Sequence, residues 1–254
     1  MKILGIRTVT KVLGDPPERN EDTCTPFERG LTVSSFVMCD GATTGFSSRK
    51  WADALASSVA NATGEGVEQA VREAKKNYES QFDLSKLSFF KQEAFKRGSM
   101  STLLIARQDA ERPSIIHLTA VGDSCCFLVR SGRVEKSFPL SNASEFSTSA
   151  YLLETSDEKL EWAFREETKE LYWKRADWDV SAFRGCHLVF ATDAVSQWIA
   201  GMREKGNFNE VGALVKNVIR SGEKFQHKFE GFVANARQHQ GMAVDDSTVA
   251  VIGV

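Results

Sequence analysis

Short acidic clusters recur along this chain, each beside an apolar or strand-like run: Arg19-Asn20-Glu21-Asp22, Asp40-Gly41, Gly122-Asp123-Ser124, Asp193 and Asp245-Asp246. A fold that ends several strands in carboxylates collects oxygen ligands in one place, and oxygen is what hard divalent cations such as magnesium and manganese take. Asp40, Asp193 and Asp245 each stand at the edge of a predicted strand. If packing brought them together they would repel one another and hold protons more tightly unless cations neutralised them. The pattern points to metal-assisted chemistry on phosphate. Two hard cations roughly 3.5–4 Å apart share a carboxylate, lower the pKa of a bridging water and hold a phosphoryl group for in-line attack. Asp40 is the candidate bridging ligand, because Gly41 after it has no side chain and lets a backbone carbonyl reach a metal.

The runs between these clusters set the expected elements. Ile3 to Val12 predicts a strand that ends in the turn-forming Gly14-Asp15-Pro16-Pro17, with Arg19 to Asp22 in the following loop. Val33 to Cys39 predicts a second strand closed by Asp40-Gly41. Helical spacing follows in Phe46 to Asn61, Val67 to Phe82 and Leu84 to Phe95. Ser101 to Ala106, Ile115 to Val121 and Cys125 to Val129 predict an antiparallel meander, with Gly122-Asp123-Ser124 as a tight connection and Gly132 in the next turn. The aromatic and charged segment from Ser137 to Gly185 has no clear period, although Asp157 to Tyr172 has helical character. Leu188 to Ala191 predicts a buried strand. Helices over Val195 to Met202, Asn209 to Arg220 and Glu223 to His239 precede a last strand, Thr248 to Ile252.

With 254 residues and 42% apolar content the chain can bury a substantial core, and 1–254 is expected to form one α/β unit. Its 32 basic and 34 acidic side chains are mixed along the sequence, so a nucleic-acid partner is not expected. No apolar run approaches the roughly 20 residues that span a bilayer, and no cleavable signal is seen before the first strand. A cytoplasmic protein without a membrane partner is the expectation. The five cysteines lack a Cys-x-x-Cys pair and fit reduced thiols. Neither a Cys-x5-Arg phosphate cradle nor a Gly-x-x-x-x-Gly-Lys loop is present.

The order Asn20-Glu21-Asp22, Phe36 to Gly41, Gly98 to Thr102, Val121 to Ser124, Leu188 to Asp193 and Asp245 to Val249 resembles the metal-dependent protein phosphatase 2C (PPM-type) family, and in particular its bacterial serine/threonine phosphatases. The resemblance covers essentially the whole chain. It implies an α+β fold, a four-layer α-β-β-α sandwich of two packed antiparallel sheets flanked by helices. It also implies two Mn2+ or Mg2+ ions at one end of the sandwich. The implied reaction is hydrolysis of phosphoserine and phosphothreonine in proteins by a metal-activated water, with a serine/threonine kinase and its targets as partners. By position, Asp40, Asp193 and Asp245 match the core metal carboxylates and Gly41 the carbonyl ligand. Glu21 and Asp22 match the acidic pair that completes the site, and Asp123 matches the ligand of a third, weaker metal.

The chain departs from the family pattern in places. The phosphate-binding arginine of the family lies about four residues before the position of Glu21, whereas Arg19 lies two before it. Arg19 is thus a candidate phosphate clamp or a surface salt-bridge residue, and Asp123 a third-metal ligand or a plain turn residue. Ala42 stands where many animal relatives carry a histidine, Thr192-Asp193-Ala194 replaces Ser-Asp-Gly, and Asp246 replaces asparagine. His117, His187, His227 and His239 are expected to pack or lie on the surface, and the segment from Ser137 to Gly185 to shape substrate choice. A phosphatase leads. A phosphoprotein-binding domain without turnover and a hydrolase of small phosphorylated metabolites are the alternatives.

Overall fold

Apolar residues occupy both alternating faces of the central strands, which requires each sheet to be covered on both sides. In β3 (Thr32–Asp40), Phe36 and Met38 point one way while Val37 and Cys39 point the other, and all are fully buried. The computed structural model describes residues 1–29, 32–62, 66–148, 150–220 and 222–254, and leaves out the side chains of residues 29 and 223. The expected segment from Ser137 to Gly185 therefore includes one residue, 149, outside the described residues.

Two five-stranded antiparallel sheets face each other. The first has the order β1 (Lys2–Val9), β12 (Ser247–Gly253), β11 (His187–Ala191), β7 (Cys125–Arg130), β8 (Arg133–Phe138). The second has the order β10 (Lys174–Asp179), β6 (Ile115–Val121), β5 (Leu103–Gln108), β3, β2 (Asp22–Arg29). A short pair, β4 (Met100–Ser101) with β9 (Leu153–Glu154), stands apart.

Between the sheets Phe36, Met38, Leu104 and Leu118 meet Cys126, Leu128, Leu188, Phe190 and Ile252, with the Phe36 and Phe190 rings 4.7 Å apart. Behind the second sheet lie α1 (Ser48–Val59) and α2 (Gly66–Glu79), through Trp51, Leu55, Val71 and Tyr78. The first sheet is backed by α6 (Asp193–Glu204), α7 (Phe208–Ile219) and α8 (Glu223–His239), through Val195, Trp198, Leu214 and Phe229. This is the α+β, four-layer α-β-β-α sandwich implied by the resemblance. Burying each such side chain contributes about 1.5–3 kcal/mol, so the packed layers hold the strand ends in fixed relative positions. Cys125 faces the helices and Cys126 the sheet interface, as strand alternation predicts. Among the described residues no helix is long and apolar enough to cross a membrane.

The expected meander is corrected by the sheet order. β5 and β6 pair as neighbours, but β7 belongs to the opposite sheet, so Gly122-Asp123-Ser124 crosses between sheets and is not a hairpin turn. Gly122 has φ 96°, and a Cβ there would lie 2.7 Å from the Thr102 side chain, so the tight crossing needs glycine. The two-residue hairpin is Ser131-Gly132, both at positive φ, between β7 and β8. Asp22, expected in a loop, opens β2. The irregular segment forms β9, α4 (Asp157–Phe164), α5 (Glu166–Tyr172) and edge strand β10, while α3 (Phe89–Arg97) is shorter than its predicted helix.

Candidate functional site

All the acidic clusters fall at one edge of the sandwich. β2 starts there and β3 ends there, with Asp22 directly opposite Asp40 in the strand pair. β11 ends at Ala191 and α6 begins at Asp193; β12 begins after Asp245-Asp246; the β6–β7 crossing carries Asp123. Gly41 follows β3 closely enough that a Cβ would stand 2.9 Å from Glu21 O and from Ser48 backbone atoms, so only glycine fits.

A polar frame positions the carboxylates. Asp40 N donates to Thr102 Oγ1 at 2.9 Å, and Thr102 Oγ1 meets Ser124 Oγ at 2.8 Å, tying β3 to the crossing beside Asp123. Asp22 N donates to Asn20 Oδ1 at 2.8 Å, while Asn20 Nδ2 donates to Thr8 Oγ1 at 2.7 Å. Thr192 Oγ1 donates to Asp22 Oδ2 and accepts from Thr248 N, both at 3.1 Å, so β2, β11 and β12 converge on one buried carboxylate. Asp246 accepts from Lys11 N at 2.6 Å and from Glu21 N at 2.7 Å, which fastens the end of β1 and the acidic loop to the start of β12.

The electrostatics are those of crowded anions. Like charges directly opposite in a strand pair are unfavourable. Burial lifts Asp22 to about 8 against a hydrogen bond with Thr248, with repulsion from Asp246 and Asp193 adding to it, and burial with repulsion from Asp22, Asp193 and Asp123 holds Asp40 well above the usual carboxylate range. Asp193 is pushed up to about 6 by burial and by Asp123, against the help of Ala194 N at the start of α6. Burial also raises Asp123, and it raises Glu21 although the Thr43 hydroxyl opposes the shift.

The predicted site residues are thus brought together unevenly. Asp40 feels the charges of Asp22, Asp193 and Asp123, Asp22 those of Asp246 and Asp193, Asp193 those of Asp123 and Asp245, and Glu21 those of Asp246 and Asp245. Asp245 lies at the rim, with its side chain 38% exposed and 3.4 Å from Lys11 Nζ. Arg19 is not drawn in: its guanidinium is 69% exposed and pairs with Asp15 at 2.9 Å. Sequence reasoning missed the framing residues Asn20, Thr102, Ser124, Thr192, Thr248 and Asp246, and the rim cation Lys11. For Asn20, Ser124, Thr192, Thr248 and Asp246 the local signal is a polar residue one or two positions from a carboxylate, whereas Thr102 and Lys11 carry no such mark.

Among the described residues, no three His, Cys, Asp or Glu side chains are already arranged to hold an ion. The donor chemistry nonetheless fits one. Asp22 Oδ1 is buried and accepts no hydrogen bond, and the carboxylates around it are hard oxygen donors short of positive charge.

No protein-family model matches this chain, and no curated protein matches it in sequence. Solved structures do match it. The PPM Ser-Thr phosphatase MsPP from Mycobacterium smegmatis, solved with cacodylate, superposes with a TM-score of 0.52 at 16% identity, covering 100% of both chains. The serine/threonine phosphatase PstP/Ppp of Mycobacterium tuberculosis gives 0.55 at 14% identity, over 97% of this chain and 95% of its own. Stp1 from Staphylococcus aureus gives 0.53 at 15%, over 100% and 97%. The fold is therefore that of the PPM-type serine/threonine phosphatases, as the motif order implies.

Proposed function

We propose that this chain is a metal-dependent phosphatase of phosphoserine and phosphothreonine in proteins, a single PPM-type domain over 1–254. The observation that carries the reading is the cross-strand pair of buried Asp22 and half-buried Asp40, with Asp193 and Asp123 around it, at the edge of a sandwich of this fold. A fold keeps mutually repelling carboxylates when an external cation resolves the repulsion.

Asp40, Asp193, Asp245 and the Gly41 carbonyl would hold Mn2+ or Mg2+, with Glu21 and Asp22 completing a two-ion site and Asp123 serving a third ion. When bound, such a pair of ions supplies an activated water at neutral pH and a clamp on the phosphoryl oxygens. The chain's own residues keep the donors in place: Thr192 and Asn20 orient Asp22, Thr102 anchors the backbone of Asp40, and Asp246 fixes Glu21. The β4–β9 pair lies beside Gly41, which bridges to Ser101, so the segment from Ser137 to Gly185 reaches the site edge and is suited to shape substrate choice. We place the enzyme in the cytoplasm, opposing a serine/threonine kinase on shared protein targets.

Phosphate release from phosphothreonine peptides is the test. Release that needs added Mn2+ and stops with EDTA supports the reading, and release indifferent to chelation overturns it. A second reading, a phosphoprotein-binding domain without turnover, is favoured by Ala42 and by Arg19 facing Asp15. Stoichiometric phosphopeptide binding without phosphate release in saturating Mn2+ would select it.

A further inference from the structure

Beside the ions that would occupy this edge, a protein cation at the rim would attract and orient a phosphate dianion through a charge-assisted hydrogen bond. Arg19, Arg49 and Arg237 lie around the acidic edge, and each is engaged elsewhere. Arg19 pairs with Asp15. Arg49 donates to Asn20 O at 2.6 Å and pairs with Asp53 at 3.1 Å. Arg237 donates to Lys11 O at 3.0 Å, to Thr10 O at 3.3 Å, to Ser247 Oγ at 3.2 Å and to Asp245 O.

Lys11 differs from all of them. Its backbone is fixed on both sides, with N donating to Asp246 and O accepting from Arg237. Its side chain is 47% exposed and makes one polar contact, 3.4 Å to Asp245 Oδ1. Its charge also reaches Glu21 and Asp193. A pinned backbone with a loosely held ammonium at the rim is the arrangement of a point-charge phosphate ligand on a flexible stem.

Building on the proposed function, we infer that Lys11 is the phosphate-binding cation of this site, resting against Asp245 and turning to the substrate phosphoryl oxygens when Asp245 serves a metal ion. It takes the part for which Arg19 is the candidate by sequence. Lys11 binds substrate and moves no proton.

Calorimetric titration of the Mn2+-saturated protein with inorganic phosphate tests this without turnover. Lys11→Met should weaken phosphate binding about 10–100-fold, the worth of a charge-assisted hydrogen bond. Lys11→Arg should restore most of it. Because the side chain is half exposed, both variants should unfold in urea at the wild-type midpoint. With phosphopeptide, Lys11→Met should raise KM far more than it lowers kcat. Equal phosphate affinity in wild type and Lys11→Met overturns the inference, as does a loss confined to Arg19→Met. Phosphate release by the wild type, measured in parallel, judges the functional reading separately: phosphate that binds through Lys11 without any turnover would sink the phosphatase and leave the clamp standing.

Discussion

The second sheet carries carboxylates at both of its ends, and the two ends treat them in opposite ways. At the end away from the acidic edge, His117 lies between Asp177 and Asp109, at 2.8 and 3.0 Å. Asp109 also accepts from the backbone N–H groups of Arg112 and Glu111. Those backbone donors and His117 pull Asp109 down to about 2, while the two aspartates raise His117. At the other end Asp22 is buried, Asp40, Asp123 and Asp193 are half-buried near it, and all four shift upward. One end satisfies its charges from within the chain. The other carries a deficit of positive charge, which under the proposed function a metal ion would supply.

The comparison breaks most visibly at Asp40 and Asp193. Asp40→Asn and Asp193→Asn should each lower Mn2+-dependent phosphate release by about a thousandfold or more, read as initial rates on phosphothreonine peptide. Gly41→Ala should come next, since its Cβ would press on Glu21 O and Ser48 backbone atoms. A loss of about 1–3 kcal/mol in urea unfolding, together with reduced activity, is expected. In metal-free protein Asp40→Asn should instead stabilise the fold by about 1 kcal/mol, because it removes a like charge opposite Asp22. A destabilised Asp40→Asn would show that the chain already satisfies this end.

The opposite end gives the smallest effect and a defined pH window. Asp109 is lowered, so its contribution is full above its ordinary value of 3.8 and is lost as pH falls through about 2. His117 is raised, so its contribution is full below 6.5 and is lost as pH climbs through its higher folded value. His117→Ala should therefore lower the urea midpoint slightly between about pH 4 and 6.5, and the difference from wild type should fade in alkali.

Much of this was legible in the sequence because the central strands are buried on both faces and so appear as continuous apolar runs ending in acid. Phe36 to Asp40 and Leu188 to Asp193 announce their elements and the edge at which they end. β2 and β10 were not legible: both are edge strands, and Asp-Thr-Cys-Thr-Pro and Lys-Arg-Ala-Asp-Trp-Asp carry the polar and charged residues that edges favour. The passage of β7 to the other sheet leaves no local mark, since Cys125 to Val129 has the same pattern in either sheet. The place of Arg19 depends on the tight turn at Pro17–Arg19, which directs its side chain toward Asp15. The role of Lys11 depends on residues more than two hundred positions away.

Calorimetric titration with Mn2+ tests the central claim most directly. Wild-type protein should bind Mn2+ and melt at a higher temperature when saturated, while Asp40→Asn and Asp193→Asn should lose most of both effects. Binding of equal strength in all three proteins, or none in the wild type, would contradict a metal site built from these carboxylates.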